Sequence, residues 1–336
     1  MKKRFEGRDE PIVEPELAII DAHHHMFDRP AARYLMHEIA ADVALGHDIR
    51  ATVYVESHAM MRADGPEALR PVGETEFANG IAAMSASGDY GRCRVNAGIV
   101  SFADLALGAA VGETLDAHAV AGGGRFRGIR QVTLYSRNPE PYRYMFAPPP
   151  PGVMTAATFR EGFAELGPRG LTFDAAVFHT QLDEVMALAD AFPDTTIVLD
   201  HMGFPLAMGM DEGGRAGIFA EWSATLREVA RRGNIVTKVG GLGMPFWGFG
   251  FDGRDEVVTS DALAAAWRPY VETGIEVFGP DRCMMESNFP ADGHSCGYVP
   301  LWNALKKITA GCSAQDKAAL YSGTAARVYG LDVDLG

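Results

Sequence analysis

Eight short apolar segments alternate with segments of helical periodicity along almost the whole chain, and this alternation limits the folds that the sequence can adopt. The apolar segments are rich in β-branched residues, which is typical of buried strands. They span residues 17–20, 51–56, 94–100, 126–134, 171–178, 195–199, 235–239 and 283–286. Strands that alternate with helices predict a parallel sheet, and eight such units predict a closed (β/α)8 barrel.

The alternative to a barrel is an open, doubly wound sheet. That fold needs fewer strands and usually carries a glycine fingerprint after the first strand, where this chain has histidines. At 336 residues the chain is long, but α/β barrels of this length form single domains. We therefore expect an N-terminal extension over residues 1–16 and a barrel with closing C-terminal helices over residues 17–336. Helices are predicted at 31–45, 74–87, 105–120, 159–166, 182–192, 218–232, 262–278, 299–310 and 314–331, with long loops after strands four, six and seven.

Composition excludes some classes of partner. The formal net charge is −14, whereas nucleic acids and anionic membranes bind basic surfaces. The four cysteines show no CxxC spacing, which favours free thiols in a reducing cytoplasm. We find neither an apolar signal-peptide core near the N-terminus nor a run long enough for a membrane helix. The expected partner is a small molecule, and a homo-oligomer is left open.

Three consecutive histidines follow the first predicted strand, in the segment Ala18–Phe27. Side chains alternate along a strand, so His23 and His25 should share one face while His24 takes the other. Two imidazoles at this spacing can bind one metal ion or flank one substrate atom. A hydrogen-bonded pair without function explains them equally well when they are considered alone.

Two further histidines come at the ends of predicted strands: His179 after strand five and His201 after strand six. In a barrel the C-terminal ends of the strands converge where catalytic groups lie. A metal or catalytic cluster of His23, His25, His179 and His201 is therefore favoured over four unrelated core histidines.

Four motifs in order resemble the amidohydrolase superfamily, and in particular its lactonase-like branch. They are Asp-Ala-His-His-His at 21–25, Phe-His-Thr-Gln-Leu at 178–182, Leu-Asp-His-Met-Gly at 199–203 and Glu-Ser-Asn-Phe-Pro at 286–290. The resemblance implies a (β/α)8 barrel that hydrolyses lactones, amides or related bonds, and a related branch decarboxylates. It matches the four strand-end histidines of this chain to those of the family.

One position departs from the family pattern. The resemblance leads one to expect an aspartate after strand eight, but this chain has Asn288. An amide cannot accept a proton from water as a carboxylate does. We favour Asp292 as the substitute base, with Glu286 as its competitor. The alternative is that both carboxylates only orient backbone and arginines.

The sequence leaves metal dependence open. The four histidines could bind one divalent ion, with zinc favoured, and would lower the pKa of its bound water. The resemblance also implies relatives that act without a metal, and Asn288 removes a usual contact. Lys238 on strand seven is interpreted as a barrel lysine paired with a neighbour rather than as a metal-bridging residue.

Several residues are candidates for substrate binding. Arg130 could hold a substrate carboxylate through two hydrogen bonds, or it could form a salt bridge with Asp21 or Glu56. Tyr54 and Glu56 on strand two, and His58 just after it, are also expected near the substrate. In the loop after strand seven, aromatic residues that include Trp247 and Phe249 have no helical spacing, and we expect them to form a lid.

The leading functional hypothesis is a hydrolase that opens a lactone or related cyclic ester of a small carboxylated substrate. Activated water would attack a carbonyl group that histidines polarise. Two alternatives stay open. One is a metal-dependent, non-oxidative decarboxylase of an aromatic acid, and the other is a non-catalytic binding protein with the barrel fold.

Overall fold

The computed structural model describes residues 3–30, 32–145 and 147–335. Its strands are β1 Ile19–His24, β2 Phe27–Arg29, β3 Ala32–Tyr34, β4 Ile49–Val55, β5 Arg94–Ser101, β6 Phe126–Arg130, β7 Thr172–Ala175, β8 Ile197–Leu199, β9 Ile235–Val239 and β10 Cys283–Met285. Its α-helices are α1 Met36–Val43, α2 Val72–Ala86, α3 Val111–Ala121, α4 Ala157–Phe163, α5 Leu182–Ala191, α6 Glu212–Val229, α7 Ser260–Phe278, α8 Tyr298–Ile308, α9 Ala314–Ala318 and α10 Thr324–Val328.

Eight of the strands form one parallel sheet in the order β1-β4-β5-β6-β7-β8-β9-β10. The sheet closes beyond the last strand, where His25 N donates to Phe289 O over 2.8 Å and Asn288 N donates to His23 O over 2.9 Å. With helices between the strands, this is a (β/α)8 barrel, and the predicted fold class is confirmed. The closure also brings the segment after β10 beside the histidines of β1.

Alternation along the strands separates two apolar layers. Ile20 and Ala22 of β1 face the barrel interior together with Val53 and Val55 of β4. Ile19, one residue away, belongs to the larger layer between sheet and helices. Residues of the C-terminal segment, including Tyr329, fill the interior from the other end. The interior is therefore packed, and polar groups gather at the C-terminal ends of the strands.

The N-terminal segment lies against the barrel. Arg4 Nε donates to Asp42 Oδ2 of α1 over 2.7 Å, and Lys3 Nζ donates to Phe251 O over 2.9 Å. None of the helices in the described ranges combines the length and the apolar character that crossing a bilayer requires.

Some element boundaries differ from the predictions. The helix expected from residue 31 begins at Met36 instead, because β2 and β3 first form a hairpin; Ala31 itself lies outside the described residues. Leu105–Ala110 is a 3-10 segment before α3, interrupted at Gly108 by a φ of 63°. The loop expected at residues 135–151 contains a 3-10 turn at Glu140–Tyr144, and Phe146 within it lies outside the described residues.

Candidate active site

His23 and His25 point to the same side of β1, as alternation predicts. A register shift between Asp21 and His24 lets this side face the interior although Ala22, one residue before His23, faces it too. Their Nε2 atoms lie 3.1 Å apart. His24 turns the other way and lies 2.8 Å from Thr52 Oγ1 through its own Nε2. His25 Nδ1 lies 2.9 Å from Val55 O, and a carbonyl can only accept. His25 therefore carries its proton on Nδ1 when neutral and presents a lone pair on Nε2 to His23.

Lys238 is a buried cation that lies among polar side chains at the C-terminal ends of the barrel strands, and these side chains together are called the cluster below. It follows Val236 by two residues on β9, so both face the interior. Its Nζ lies 2.6 Å from Asp174 Oδ2, 3.0 Å from Asp200 Oδ1 and 3.0 Å from His23 Nδ1. Burial by itself would lower the pKa of Lys238, but the two carboxylates outweigh it and raise that pKa above its ordinary value. Lys238 is therefore an ammonium group that both carboxylates and His23 surround.

Arg130, at the end of β6, is committed to Glu56. Arg130 Nε donates to Glu56 Oε1 over 2.8 Å, and Nη2 donates to Glu56 O over 2.6 Å. Nη1 lies 3.3 Å from His23 Nε2 and 3.7 Å from Asp200 Oδ2. Of the two predicted roles, the structure shows the salt bridge with Glu56, and this pairing engages the groups that a bidentate substrate clamp would use. Asp21, the other partner considered, instead accepts from Ser287 N and Ser287 Oγ over 2.8 and 2.5 Å.

His201 and Glu286 form a buried pair. Glu286 follows Met284 of β10 by two residues and so faces the interior, and His201 lies in the turn after β8 with a φ of 53°. His201 Nδ1 lies 2.6 Å from Glu286 Oε1. Glu286 Oε2 lies 3.3 Å from His23 Nδ1. Burial raises the pKa of Glu286 against the lowering effect of His201. With Nδ1 directed at the carboxylate, Nε2 of His201 is free to accept a proton.

Two consecutive glycines after β9 make room for this pair. A Cβ at Gly240 would overlap Glu286 Cγ, and a Cβ at Gly241 would overlap His201 Nδ1. Gly241 also has a φ of 63°, which other residues rarely adopt. The backbone after β9 therefore packs directly on His201 and Glu286.

Asn288 and Asp292 bind each other rather than the histidines. Asn288 Nδ2 donates to Asp292 Oδ1 over 2.8 Å, and Gly243 N donates to Asp292 Oδ2 over 2.7 Å. Burial raises the pKa of Asp292 to about 7, although both hydrogen bonds oppose it. Since both oxygens already accept hydrogen bonds, Asp292 fixes the loops after β9 and β10. This geometry supports the alternative role, in which Asp292 orients backbone.

His179 and Tyr54 form hydrogen bonds with residues outside this cluster. Strand β7 ends at Ala175, so His179 is in a 3-10 turn beyond it and does not end the strand as predicted. His179 Nδ1 accepts from Leu206 N over 3.1 Å in the loop after β8. Tyr54 lies between the inward-facing Val53 and Val55, so it faces α2, where its hydroxyl donates to Glu74 Oε1 over 2.7 Å. The expected substrate contact of Tyr54 is wrong because the strand alternation directs it outward.

His58 lies at the edge of the cluster. Its Nε2 is 3.5 Å from Glu56 Oε2, and its ring centroid is 4.7 Å from that of Phe102. Glu56 is fully buried and joins His58 to Arg130. Of the three residues expected near the substrate on or just after strand two, the structure therefore brings Glu56 and His58 to the site.

The aromatic loop after β9 belongs to the outer layer. Trp247 is fully buried, its Nε1 donates to Gly241 O over 2.8 Å, and its ring centroid lies 5.1 Å from that of Tyr270 on α7. Phe249 stacks on Trp247 at 6.2 Å. Both rings pack against Tyr270 of α7, which favours a fixed loop of the outer layer over the predicted lid.

Within the described ranges, three residues offer donor atoms for a metal ion within 4.8 Å of one another: His23, Asp200 and His201. However, Lys238 Nζ lies 3.0 Å from His23 Nδ1 and from Asp200 Oδ1, and Arg130 Nη1 lies 3.3 Å from His23 Nε2. Both ring nitrogens of His23 thus face a protein cation. Metal–nitrogen bonds of about 2.0–2.1 Å would place an ion against one of these cations. In this arrangement a metal ion held by these three residues would compete with Lys238 for His23 Nδ1 and Asp200 Oδ1.

Sequence reasoning assigned no role to Asp200 and Asp174. Asp200 follows Val198 by two residues and therefore faces the interior beside His201. Lys238 holds the pKa of Asp200 well below its usual range, although burial acts in the opposite direction. The signal that could have found Asp200 was a carboxylate at the same predicted strand end as a candidate histidine. Asp174 gave no such signal because it lies inside its strand.

Comparisons with known proteins agree with this fold. A family model described as amidohydrolase matches residues 20–331. The uncharacterised protein y4mH of Sinorhizobium fredii is 32% identical over 94% of this chain and 99% of its own. The L-fucono-1,5-lactonase of Burkholderia multivorans is 32% identical over 52% of this chain and 56% of its own. An amidohydrolase structure from Burkholderia multivorans with bound zinc has a TM-score of 0.70 and 25% identity, covering 94% of this chain and 100% of that one.

The chain belongs to the amidohydrolase family, since the family model spans nearly all of it. It is accordingly an amidohydrolase-family enzyme, as the motifs predicted.

Proposed function

We propose that this enzyme hydrolyses a lactone or a related cyclic ester, with His201 as the proton acceptor for the attacking water. The observation that carries this proposal is the 2.6 Å contact between His201 Nδ1 and Glu286 Oε1. A carboxylate on Nδ1 orients the ring, leaves Nε2 as the basic atom and stabilises the imidazolium that forms. The partial match to a lactonase supports the choice of bond.

The proposed reaction uses groups of this chain throughout. Water attacks the ester carbonyl carbon while His201 Nε2 takes its proton. Arg130 Nη1, which lies 3.3 Å from His23 Nε2, supplies positive charge and a hydrogen-bond donor near the developing oxyanion. The ring C–O bond then breaks, and the imidazolium of His201 returns its proton to the leaving alkoxide. The product is an open-chain hydroxy acid.

The charge of the cluster favours a neutral substrate over the carboxylated one that the sequence led us to expect. Four carboxylates, those of Glu56, Asp174, Asp200 and Glu286, surround two cations, Arg130 and Lys238. A further anion would meet this excess of negative charge in a buried setting of low dielectric. The lactonase relative acts, by its name, on a sugar lactone without a carboxylate group. We therefore propose a neutral lactone, such as that of a sugar acid, as the substrate class.

A screen of the protein with and without chelator treatment tests the proposal. Proton release would be followed with a pH indicator on neutral sugar lactones and on carboxylated pyrones, beside gas release from aromatic acids. We expect proton release from neutral lactones that His201→Ala abolishes, while His37→Ala, an exposed histidine, leaves it unchanged. Gas release alone would replace the proposal with a decarboxylase, and no turnover of any compound would favour a binding protein.

A further inference from the structure

The atoms around Lys238 Nζ are arranged like the ligands of a bound metal ion. Its Nζ is in contact with three acceptor atoms from three different strands or strand ends: Asp174 Oδ2 at 2.6 Å, Asp200 Oδ1 at 3.0 Å and His23 Nδ1 at 3.0 Å. The contacts with Asp174 and His23 are hydrogen bonds, whereas the contact with Asp200 Oδ1 is an ion pair without hydrogen-bond geometry. Two of the three, His23 and Asp200, also belong to the cluster whose donor atoms could hold a metal.

These acceptors are fully buried and have no access to water. Asp174, Asp200, His23 and Lys238 all have 0% exposure. Buried carboxylates require a cation close by, because the interior solvates charge poorly. Lys238 supplies this cation from within the chain, and its position is fixed because β9 carries it on the inward face between β8 and β10.

A second contact holds the lysine in place from the opposite end of the barrel. Tyr329, after α10, donates its hydroxyl hydrogen to Asp174 Oδ2 over 2.8 Å, the same oxygen that accepts from Lys238. The Tyr329 ring also lies 5.6 Å from Lys238 Nζ. The C-terminal segment thus limits movement of Asp174 and Lys238 away from His23.

We propose that Lys238 is the resident cation of this site and takes the position between His23 and Asp200 that a divalent metal ion would otherwise take. As a positioning residue, it directs a hydrogen at His23 Nδ1. His23 then carries its own proton on Nε2 and donates it toward His25 Nε2, 3.1 Å away. The result is one continuous series of donors from Lys238 through His23 and His25 to Val55 O.

Metal binding to tag-free protein tests this inference without any substrate, so its outcome is separate from that of the proposed function. Removing Lys238 alone would leave two unpaired buried carboxylates, so the main variant is Lys238→Met with Asp174→Asn. Each protein would be dialysed against zinc and its metal content measured per chain. Lys306→Met, which replaces another fully buried lysine, is the control.

We expect less than about 0.1 equivalents of tightly bound zinc in the unmodified enzyme and in Lys306→Met, because Lys238 already occupies the cation position. The double variant should bind about one equivalent, as expected for a single vacated cation position. Adding His201→Ala to the double variant should abolish that zinc. One equivalent in the unmodified enzyme, lost in His201→Ala, would overturn the inference. Failure of the folded double variant to bind zinc would also overturn it.

The tautomer of His23 gives a second readout that a purely structural role would not change. In ¹⁵N-histidine spectra, with His23 assigned by the loss of its signals in His23→Gln, we expect a proton on Nε2 and a lone pair on Nδ1. The double variant should lose this preference. A proton on Nδ1 of His23 in the unmodified enzyme would contradict the proposed donor direction.

Discussion

Glu286 Oε1 lies 2.6 Å from His201 Nδ1, and both side chains are buried where β8 and β10 end. This contact gives the chain an oriented imidazole that can take the role of the carboxylate expected, from the resemblance, at the position after the last barrel strand. Asn288, which stands at that position, is used differently, since its amide donates to Asp292. The proposed proton acceptor is therefore a histidine with its carboxylate partner.

Substitutions of the two carboxylates after β10, Glu286 and Asp292, should differ in their effect on turnover. Glu286→Gln removes the charge that stabilises the His201 imidazolium and should lower kcat by about 10²–10⁴-fold. Asp292→Asn keeps one acceptor oxygen for its loop contacts and should lower kcat by less than about tenfold, since a neutral hydrogen bond contributes about 1 kcal/mol. Steady-state kinetics on the same lactone measure both. A larger loss in Asp292→Asn than in Glu286→Gln would restore Asp292 as the base.

Gly241→Ala should lower kcat by displacing His201. Its Cβ would overlap His201 Nδ1 at a backbone φ of 63°. We expect a loss of kcat on the order of 10²-fold, because a displacement of about 1 Å in a reacting group has that effect. Gly233→Ala is the matched control, since no atom lies near its added Cβ. Equal kinetics for the two variants would show that the backbone does not position His201.

Trp247→Ala should lower the stability of the folded protein. The indole is fully buried against Trp222 and Tyr270, so its removal should lower the free energy of unfolding by about 3–5 kcal/mol. Phe5→Ala, at an aromatic residue that is 53% exposed, should cost less than about 1 kcal/mol. Urea denaturation compares them. A Trp247→Ala variant of unchanged stability with an altered substrate range would support the lid that the sequence suggested.

The titration of the Asp21 carboxyl group should make the free energy of unfolding depend on pH. Burial raises the pKa of Asp21 from 3.8 to about 7 against the hydrogen bonds from Ser287. The folded state then holds its proton more tightly than the unfolded state, so the stability from this group falls as pH rises from about 4 to about 7. Asp21→Asn lacks this titration, and its stability relative to the unmodified protein should rise by up to about 4 kcal/mol over that window. Denaturation at pH 5 and pH 8 measures the change, and a constant difference would contradict the raised pKa.

The fold followed from sequence because hydrophobic patterning is local. Each of the eight barrel strands overlaps a predicted apolar run, and β9 has the predicted bounds Ile235–Val239. Boundaries failed where apolar residues continue beyond the ladder, as at Phe178 before His179. There the chain leaves the sheet, and polar contacts such as the one from Leu206 N decide the position of the histidine.

The site was predictable only in part. Alternation placed His23 and His25 together, because both lie on one strand. The contacts of Lys238 with Asp174 and Asp200 join three strands, and only closure of the barrel brings those strands together. Trp247 was misplaced for a related reason, since its partners on α6 and α7 are distant in sequence.

The most direct test of the account is the turnover of His201→Ala, Glu286→Gln and the variant that combines them, measured on one neutral lactone. Residues that act as a unit show non-additive effects on kcat. Because Glu286 is proposed to act through His201, the combined variant should fall no further than His201→Ala alone. If the two losses instead multiply in the combined variant, Glu286 and His201 act independently, and the proposed proton acceptor is wrong.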